Sequence, residues 1–404
     1  MRSLAPLKIG YFADGIWSHN AFRKIIAHKD FCVCFITPRF DSTDETLHNF
    51  AKTHNIPYIK AQNINSPEFL AQIESFECDI FVSMSFNQIF KEPLISTPRL
   101  HTINCHAGKL PFYRGRNILN WALINDEKEF GISVHYVDSG IDTGDLILQR
   151  TYPINDKDDY STLLRTAHTE CAEVLFDALC LLQSGKAERI PQRHIHEIGF
   201  YCPARVKGDE WINWHKTSRE IFNFIRALNA PDLGAKTRTN TQELRIFKAQ
   251  EIKNTPHYIA TPGCVVGIEK TLQNPLESAT QDSIMHDSIT AESATQNAMI
   301  LPHLIIKTLD STLRITHYQC AKALKIGDRL LSDILTGGGD KTLIFYLSSS
   351  PIISYLFFIA MGVFYHKFIT LFSTFTSLFN TACFNLFNLI LGAKNANTNP
   401  IINL

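Results

Sequence analysis

Apolar positions in the first two hundred residues alternate between two spacings. Short β-rich runs stand at Lys8–Phe12, Phe31–Ile36, Asp79–Ser83 and His101–Asn104, each bounded by polar or turn residues, as buried strands are. Between them the spacing turns helical. Ser42-x-x-Glu45 predicts a capping box that opens a helix running to about His54. Ser66 before Pro67 predicts a second helix start, with Phe69, Leu70 and Ile73 on one face. From Ser161 onward, Leu163, Leu164, Ala167, Cys171, Val174, Leu175, Ala178 and Leu182 recur at helical spacing until Gly185 stops them. Strand–helix alternation with short connections predicts an α/β domain over 1–198, its parallel sheet covered on both faces. Ligands of such sheets sit at the carboxyl ends of the strands.

Composition adds bounds. The chain has 404 residues, 45% of them apolar, which calls for at least two domains. Its 39 Lys and Arg balance 39 Asp and Glu, so there is no global basic field of the kind a dedicated nucleic-acid binder carries. Ten cysteines without a CxxC pair argue against a disulfide scaffold or a structural zinc site and fit a reducing cytosol. Met1 to Lys8 leads into an apolar strand with no secretory h-region, and a cytoplasmic body is expected.

The far end differs in kind. After Asp340 there is no acidic residue, and the basic ones are Lys341, Lys367 and Lys394, with His366 beside them. Within this hydrophobic tail, 341–404, the uncharged stretches Thr342–Tyr365 and Phe368–Gly392 are each long enough to cross a hydrocarbon core. Three expectations stand open: a membrane hairpin or anchor over 342–392, a greasy extension packed on the body or a partner, and a read-through tail.

The chemistry is concentrated elsewhere. The loop after the first strand, Ala13-Asp14-Gly15-Ile16-Trp17-Ser18, has no G-x-G-x-x-G, and no P-loop, G-x-S-x-G elbow or H-E-x-x-H pair occurs. The informative stretch runs from Asn104-Cys105-His106 through Lys109-Leu110-Pro111-Phe112-Tyr113-Arg114-Gly115-Arg116, followed later by Asp138-Ser139-Gly140-Ile141-Asp142-Thr143-Gly144-Asp145. Asn104 and His106 are two apart at a strand end, so their side chains point the same way. Asp142 falls beyond another expected strand, Gly131–Tyr136. An amide and an imidazole can donate to an oxygen that turns negative in a tetrahedral intermediate. A carboxylate beside the imidazole is expected to raise its pKa and make it a general acid. With Cys105 on the opposite face, nothing is placed to be acylated, and direct acyl transfer to an amine is the reaction the trio suits, without a metal. Singly, each residue has a bland reading: a strand-end His is often structural, and an Asp in a Gly-rich loop often caps its own backbone. Their joint occurrence carries the argument.

Asn-x-His, then Leu-Pro-x-Tyr-Arg-Gly, then Asp-x-Gly-x-Asp-Thr-Gly-Asp resembles the formyltransferases that use 10-formyltetrahydrofolate. That family includes methionyl-tRNA formyltransferase, glycinamide ribonucleotide formyltransferase and the nucleotide-sugar N-formyltransferases. The resemblance implies a Rossmann-like formyltransferase domain, with Asn104, His106 and Asp142 catalytic. It implies folate contacts at Gln88-Ile89-Phe90, Arg116 and Asp138-Ser139-Gly140-Ile141-Asp142. It continues through Phe200-Tyr201-Cys202, Gly208–Trp214, the helix Ser218–Leu228 and Pro231-x-x-Gly234-Ala235. Strand-like Glu243–Ala249, Thr261–Gly267 and Leu304–Leu309 then imply a small OB-like β-barrel over 199–330, interrupted by a polar insertion at 272–298 in which Glu-Ser-Ala-Thr-Gln occurs twice.

For the acceptor, residues 201–330 carry 16 Lys and Arg against 13 Asp and Glu, weak support for a tRNA partner. Arg114-Gly115-Arg116 resembles the enzymes acting on nucleotide-linked amino sugars. On that reading Lys109 meets a diphosphate and Trp17 or Tyr113 stacks on a base or sugar; ordinary packing is the competing reading for both rings. A nucleotide-linked amino sugar is therefore the expected partner, ahead of initiator tRNA and of a non-catalytic membrane-tethered binding protein. A homodimer is left open.

Overall fold

The computed structural model describes residues 5–229, 234–270 and 301–332. The insertion expected at 272–298 and the tail at 341–404 lie outside them. No helix among the described residues is long and apolar enough to cross a membrane.

The N-terminal part runs β1 (Leu7–Ala13), α1 (Gly15–Ile26), β2 (Phe31–Thr37), α2 (Glu45–Thr53), α3 (Pro67–Glu74), β3 (Ile80–Met84), β4 (Thr102–His106), β5 (Arg114–Gly115), α4 (Ile118–Ile124), β6 (Glu129–Tyr136), β7 (Leu146–Pro153), α5 (Tyr160–Gln183), α6 (Gln192–Ile195) and β8 (Tyr201–Cys202). Six strands form one sheet in the order β2-β1-β3-β4-β6-β7. Tyr11 and Phe12, neighbours on β1, point to opposite faces and open two cores. One, around Tyr11, gathers Phe22, Ile25, Val174 and Leu175 from α1 and α5. The other, around Phe12, gathers Phe69, Leu70 and Ile73 from α3.

Two expectations are corrected. The sheet is mixed: β1 to β4 are parallel, but β6 runs antiparallel to β4, setting His135 opposite Asn104, and β7 returns antiparallel to β6. The residues after β4 are spent on the Lys109–Tyr113 loop, β5 and the short α4. The chain thus re-enters the sheet from its carboxyl end instead of crossing back beneath it. The second correction is a cap. Ser42 Oγ accepts from the Asp44 N–H at 3.1 Å, and Asp44 is the residue that caps α2, accepting from Thr46 N at 2.8 Å. A serine hydroxyl that closes its own turn is not free to cap a helix.

The C-terminal part runs α7 (Ser218–Ala227), β9 (Ala235–Arg238), β10 (Glu243–Glu251), β11 (Val265–Glu269), β12 (His303–Lys307) and β13 (Thr312–Cys320). It forms an antiparallel sheet in the order β11-β12-β13-β10-β9. The segment 327–331 ties both edges together, through Leu331 N to Arg238 O at 2.7 Å and Val265 N to Asp328 O at 2.9 Å. Trp214, fully buried, fills this core and donates its indole N–H to Thr237 Oγ1 at 2.9 Å. Helix α7 joins the two parts. Arg219 reaches Asp126, Asp156 and Glu251, and Asn120 donates to the Ala227 carbonyl at 2.7 Å.

Candidate active site

Asn104 and His106 share one face of β4, and Cys105 between them points into the opposite core, toward the Cys171 carbonyl. Across the β4–β6 pairing, Asn104 Nδ2 donates to His135 Nε2 at 3.2 Å, while His135 Nδ1 faces the Tyr136 carbonyl at 2.8 Å. The β6–β7 connection brings Asp142 to both imidazoles. Its Oδ2 lies 3.6 Å from His106 Nδ1 and its Oδ1 lies 3.5 Å from His135 Nε2. The Gly115 N–H donates to Asp142 Oδ2 at 2.9 Å. Asp142 itself is left-handed at φ 54°, a conformation that costs an L-residue some energy, though an aspartate less than most.

Gln192 holds Asp142 there. Its buried amide donates to the Asp142 carbonyl and the Gly144 carbonyl, both at 2.8 Å, and its oxygen accepts from Arg114 at 2.6 and 3.1 Å. Within the same connection Asp138 accepts from Gly140 N and Thr143 Oγ1. On the other side, the Lys109–Tyr113 loop wraps His106, whose Nε2 donates to the Tyr113 carbonyl at 2.7 Å. Two glycines make the approach feasible. A Cβ on Gly108 would lie 2.4 Å from His106 Nε2, and one on Gly115, at φ +98°, would lie 2.4 Å from the Cys202 carbonyl oxygen.

The protonation pattern differs from expectation. Burial pushes the His106 pKa down, and the Asp142 charge and the Tyr113 carbonyl only partly offset it. The ring is therefore neutral near pH 7. Its Nε2–H is given to Tyr113, and its Nδ1 faces Asp142. Asp142 is ionised: burial alone would raise its pKa, but His106, which carries a charge at the low pH where a carboxyl titrates, the contacts with His135 and the Gly115 N–H outweigh it and hold the carboxyl well below the usual range.

The other expected residues divide. Ile89 and Ile141 are 61% and 54% exposed, and Arg116, Ser139 and Gly140 are exposed as well. Gln88 turns its side chain inward to Ala61 O and Ile64 N, and Phe90 packs in the core 5.0 Å from Phe12, so these two offer only backbone to a ligand. The expected substrate residues each make contacts within the chain. Trp17 stands edge-on to His168 at 4.5 Å where α1 meets α5. The Tyr113 ring is buried against Phe200, with its hydroxyl on Glu127 at 2.6 Å. Lys109 is partly exposed and paired with Glu129.

His135 and Gln192 escaped sequence reasoning. His135 has a readable signal, because it shares a face with Ser133 on β6, but the signal is meaningful only once β6 is known to be antiparallel to β4. Gln192 has none. A third group lies on the same rim, beyond the ends of β1, β2 and β3. There Arg39 donates to Ser85 at 2.8 Å and lies 3.8 Å from Asp14 Oδ2, while the buried Asp14 Oδ1 has no hydrogen-bond partner among the described residues.

A profile of the formyl transferase family matches residues 37–179, and one for the formyl transferase C-terminal domain matches 206–328. A methionyl-tRNA formyltransferase from Pelotomaculum thermopropionicum is 35% identical over 211 residues, 52% of this chain and 66% of its own length. The one from Acetivibrio thermocellus is 32% identical over 55% of this chain and 71% of its own length. Among solved structures, the N-formyltransferase from Helicobacter canadensis, in complex with folinic acid and dTDP-3-aminofucose, is 20% identical. It aligns at a TM-score of 0.53 over 78% of this chain and 100% of its own. The chain belongs to the formyl transferase family.

Proposed function

We propose that this protein transfers a formyl group from 10-formyltetrahydrofolate to the primary amine of a nucleotide-linked amino sugar. The observation that carries the reaction class is the convergence of the Asn104 amide, a neutral His106 and an ionised Asp142 with no nucleophile to acylate. The folate supplies an activated formyl group. The exposed apolar side chains of Ile89 and Ile141 and the backbone of 88–90 and 138–142 suit a flat heterocycle with a polar edge, and the exposed Arg116, which follows the Gly115 that bonds Asp142, offers a cation for its acidic end.

In this reading the Asn104 amide donates its second hydrogen to a carbonyl oxygen as that oxygen turns anionic. His106 Nδ1 takes a proton from the attacking amine. The resulting imidazolium is held between Asp142 and the Tyr113 carbonyl, and returns the proton to the departing nitrogen. Asp142 and His135 fix the position of both donors.

For the acceptor, support comes from the rim. Tyr201 is 53% exposed with the Arg114 guanidinium 5.5 Å over its ring, so a cation and an aromatic face adjoin in a way that suits a nucleotide. The unpartnered Asp14 oxygen offers an acceptor for a sugar hydroxyl or ammonium. The nucleotide-sugar complex of the Helicobacter canadensis relative agrees with this reading. A second reading, methionyl-tRNA formylation, is favoured by the 32–35% identical relatives; the 16 Lys and Arg against 13 Asp and Glu over 201–330 give it only weak electrostatic support. The test is incubation with 10-formyltetrahydrofolate and a panel of nucleotide-linked amino sugars beside charged initiator tRNA, following the acceptor's mass. Formylation of tRNA with none of any sugar overturns the first reading, and formylation of neither overturns both.

A further inference from the structure

Behind the loop that wraps His106 the chain encloses a second cavity, of about 340 Å³. Four elements wall it: the 109–113 loop, helix α4, the start of β6, and Phe200 just before β8. Gly131 lets the loop close down on β6, since a Cβ there would lie 2.6 Å from the Lys109 Cβ. Asn104, His106 and Asp142 do not border this cavity, so it is a different space from the one in which the catalytic groups converge. Lys109 and Glu129 are partly exposed and Phe200 is exposed, which leaves a solute a way in.

The lining combines two kinds of group. One is aromatic, from Phe112, Tyr113, Phe130 and Phe200. Phe200 stands edge-on to Tyr113 at 5.0 Å and lies 5.5 Å from Phe112, so three of the rings make one continuous wall. Aromatic faces carry negative potential and attract cations. The other kind is charged. Two carboxylates, Glu127 and Glu129, face one ammonium, Lys109, which leaves one negative charge in excess. Lys109 is already paired with Glu129. Glu127 gives Oε1 to the Tyr113 hydroxyl at 2.6 Å and has no basic partner among the described residues. A carboxylate without a countercharge, set among aromatic faces, is the chemistry that recognises an organic cation.

We propose that this cavity is a binding site for a small organic cation, an amidine, guanidine or ammonium group on a flat apolar body, separate from the formyl-transfer centre. The charged group meets Glu127, and the body lies between the aromatic wall and α4. The volume is at the lower end of the range for small-molecule sites, enough for one ring and its substituent. Tyr113 connects the site to the chemistry. Its ring lines the cavity, and its carbonyl accepts from His106 Nε2 at 2.7 Å, so the bound cation touches the residue that holds the imidazole.

The test uses benzamidine as the probe and benzamide as its uncharged counterpart of nearly the same shape, each titrated into the full-length chain by calorimetry. Benzamidine should bind at least about tenfold more tightly than benzamide. Glu127→Gln keeps the shape and removes the charge; it should weaken benzamidine at least about fivefold and leave benzamide unchanged, which also reports that the variant is folded. Lys109→Met releases Glu129 and should tighten benzamidine at least about twofold, an effect of opposite sign that a purely apolar cavity would not give. Saturating folinic acid should leave benzamidine bound. Equal affinity for the two probes, no binding of benzamidine, benzamidine binding that ignores Glu127→Gln, weaker binding after Lys109→Met, or displacement by folinic acid would each overturn the proposal.

Discussion

If Gln192 is the residue that keeps Asp142 over the two imidazoles, changing its chemistry without changing its shape should cost activity more than stability. Gln192→Glu does this. The carboxylate can still receive the Arg114 guanidinium, which now donates at 2.6 and 3.1 Å. It cannot donate to the Asp142 and Gly144 carbonyls, each bonded at 2.8 Å in the wild type. Two buried hydrogen bonds at about 1 kcal/mol each, with repulsion between carboxylate and carbonyls added, come to roughly 2–4 kcal/mol. Asp142 is held at φ 54°, so the loop has a more comfortable conformation to relax into. If that energy is spent on the loop, kcat/KM for formyl transfer falls by roughly 30- to 1,000-fold. Steady-state kinetics and thermal unfolding on the same preparation separate the outcomes. A large kinetic loss with a small change in Tm is expected. A variant with full kcat/KM and a lowered Tm would show that Asp142 keeps its place without Gln192, and the positioning argument would fail.

Three further outcomes follow from the same geometry. His106→Ala and Asp142→Asn should each lower kcat by at least ~100-fold with little change in folding, measured by single-turnover transfer and circular dichroism. Because burial depresses His106, the rate should fall as pH drops through a value below about 6.5, and not through a raised one. The stability contribution has the same sign. The unfolded chain binds the proton first, so stability is full above about 6.5 and is lost as pH falls toward the folded pKa, which pH-dependent denaturant melts would show. Arg219→Met removes contacts with Asp126, Asp156 and Glu251. It should destabilise by about 1–3 kcal/mol in urea unfolding, the carboxylates being partly solvated.

The sequence carried β1 to β4 because each is a short apolar run with both faces buried, and it carried α3 because Ser66 and Pro67 mark its start. It missed β7, whose exposed outer residues Arg150 and Thr151 break the apolar run of an edge strand. It missed β9 and β13, half-polar strands whose outward positions, Lys236, Arg238, Arg314 and Thr316 among them, leave too few apolar residues to mark a run. The direction of β6 was illegible, since its eight residues read alike either way; only the shortness of α4 hinted at it. Asn104, His106 and Asp142 were legible as a set and do come together. For Lys109, Tyr113 and Trp17, expected at the substrate, the structure adds contacts that the sequence did not announce. Their partners Glu129, Glu127 and His168 are distant in sequence, and no local pattern announces that a cation or an aromatic ring is already occupied.

The same blindness to burial explains the protonation of His106 and changes the order of proton transfers. A carboxylate 3.6 Å away favours the imidazolium, and taken alone it makes His106 an acid at rest. The ring is also enclosed by β4, the Lys109–Tyr113 loop and the Asp142 loop, with only 9% of the residue exposed, and removal from water penalises the charged form more than one nearby carboxylate repays. For transfer to an amine this balance is the useful one. The nitrogen that attacks must shed a proton before anything needs to receive one, so a resting base meets the first demand. Asp142 and the Tyr113 carbonyl then make the imidazolium tolerable for as long as it carries that proton. An imidazole that was charged from the start could not take the first proton. One without Asp142 beside it could not hold it.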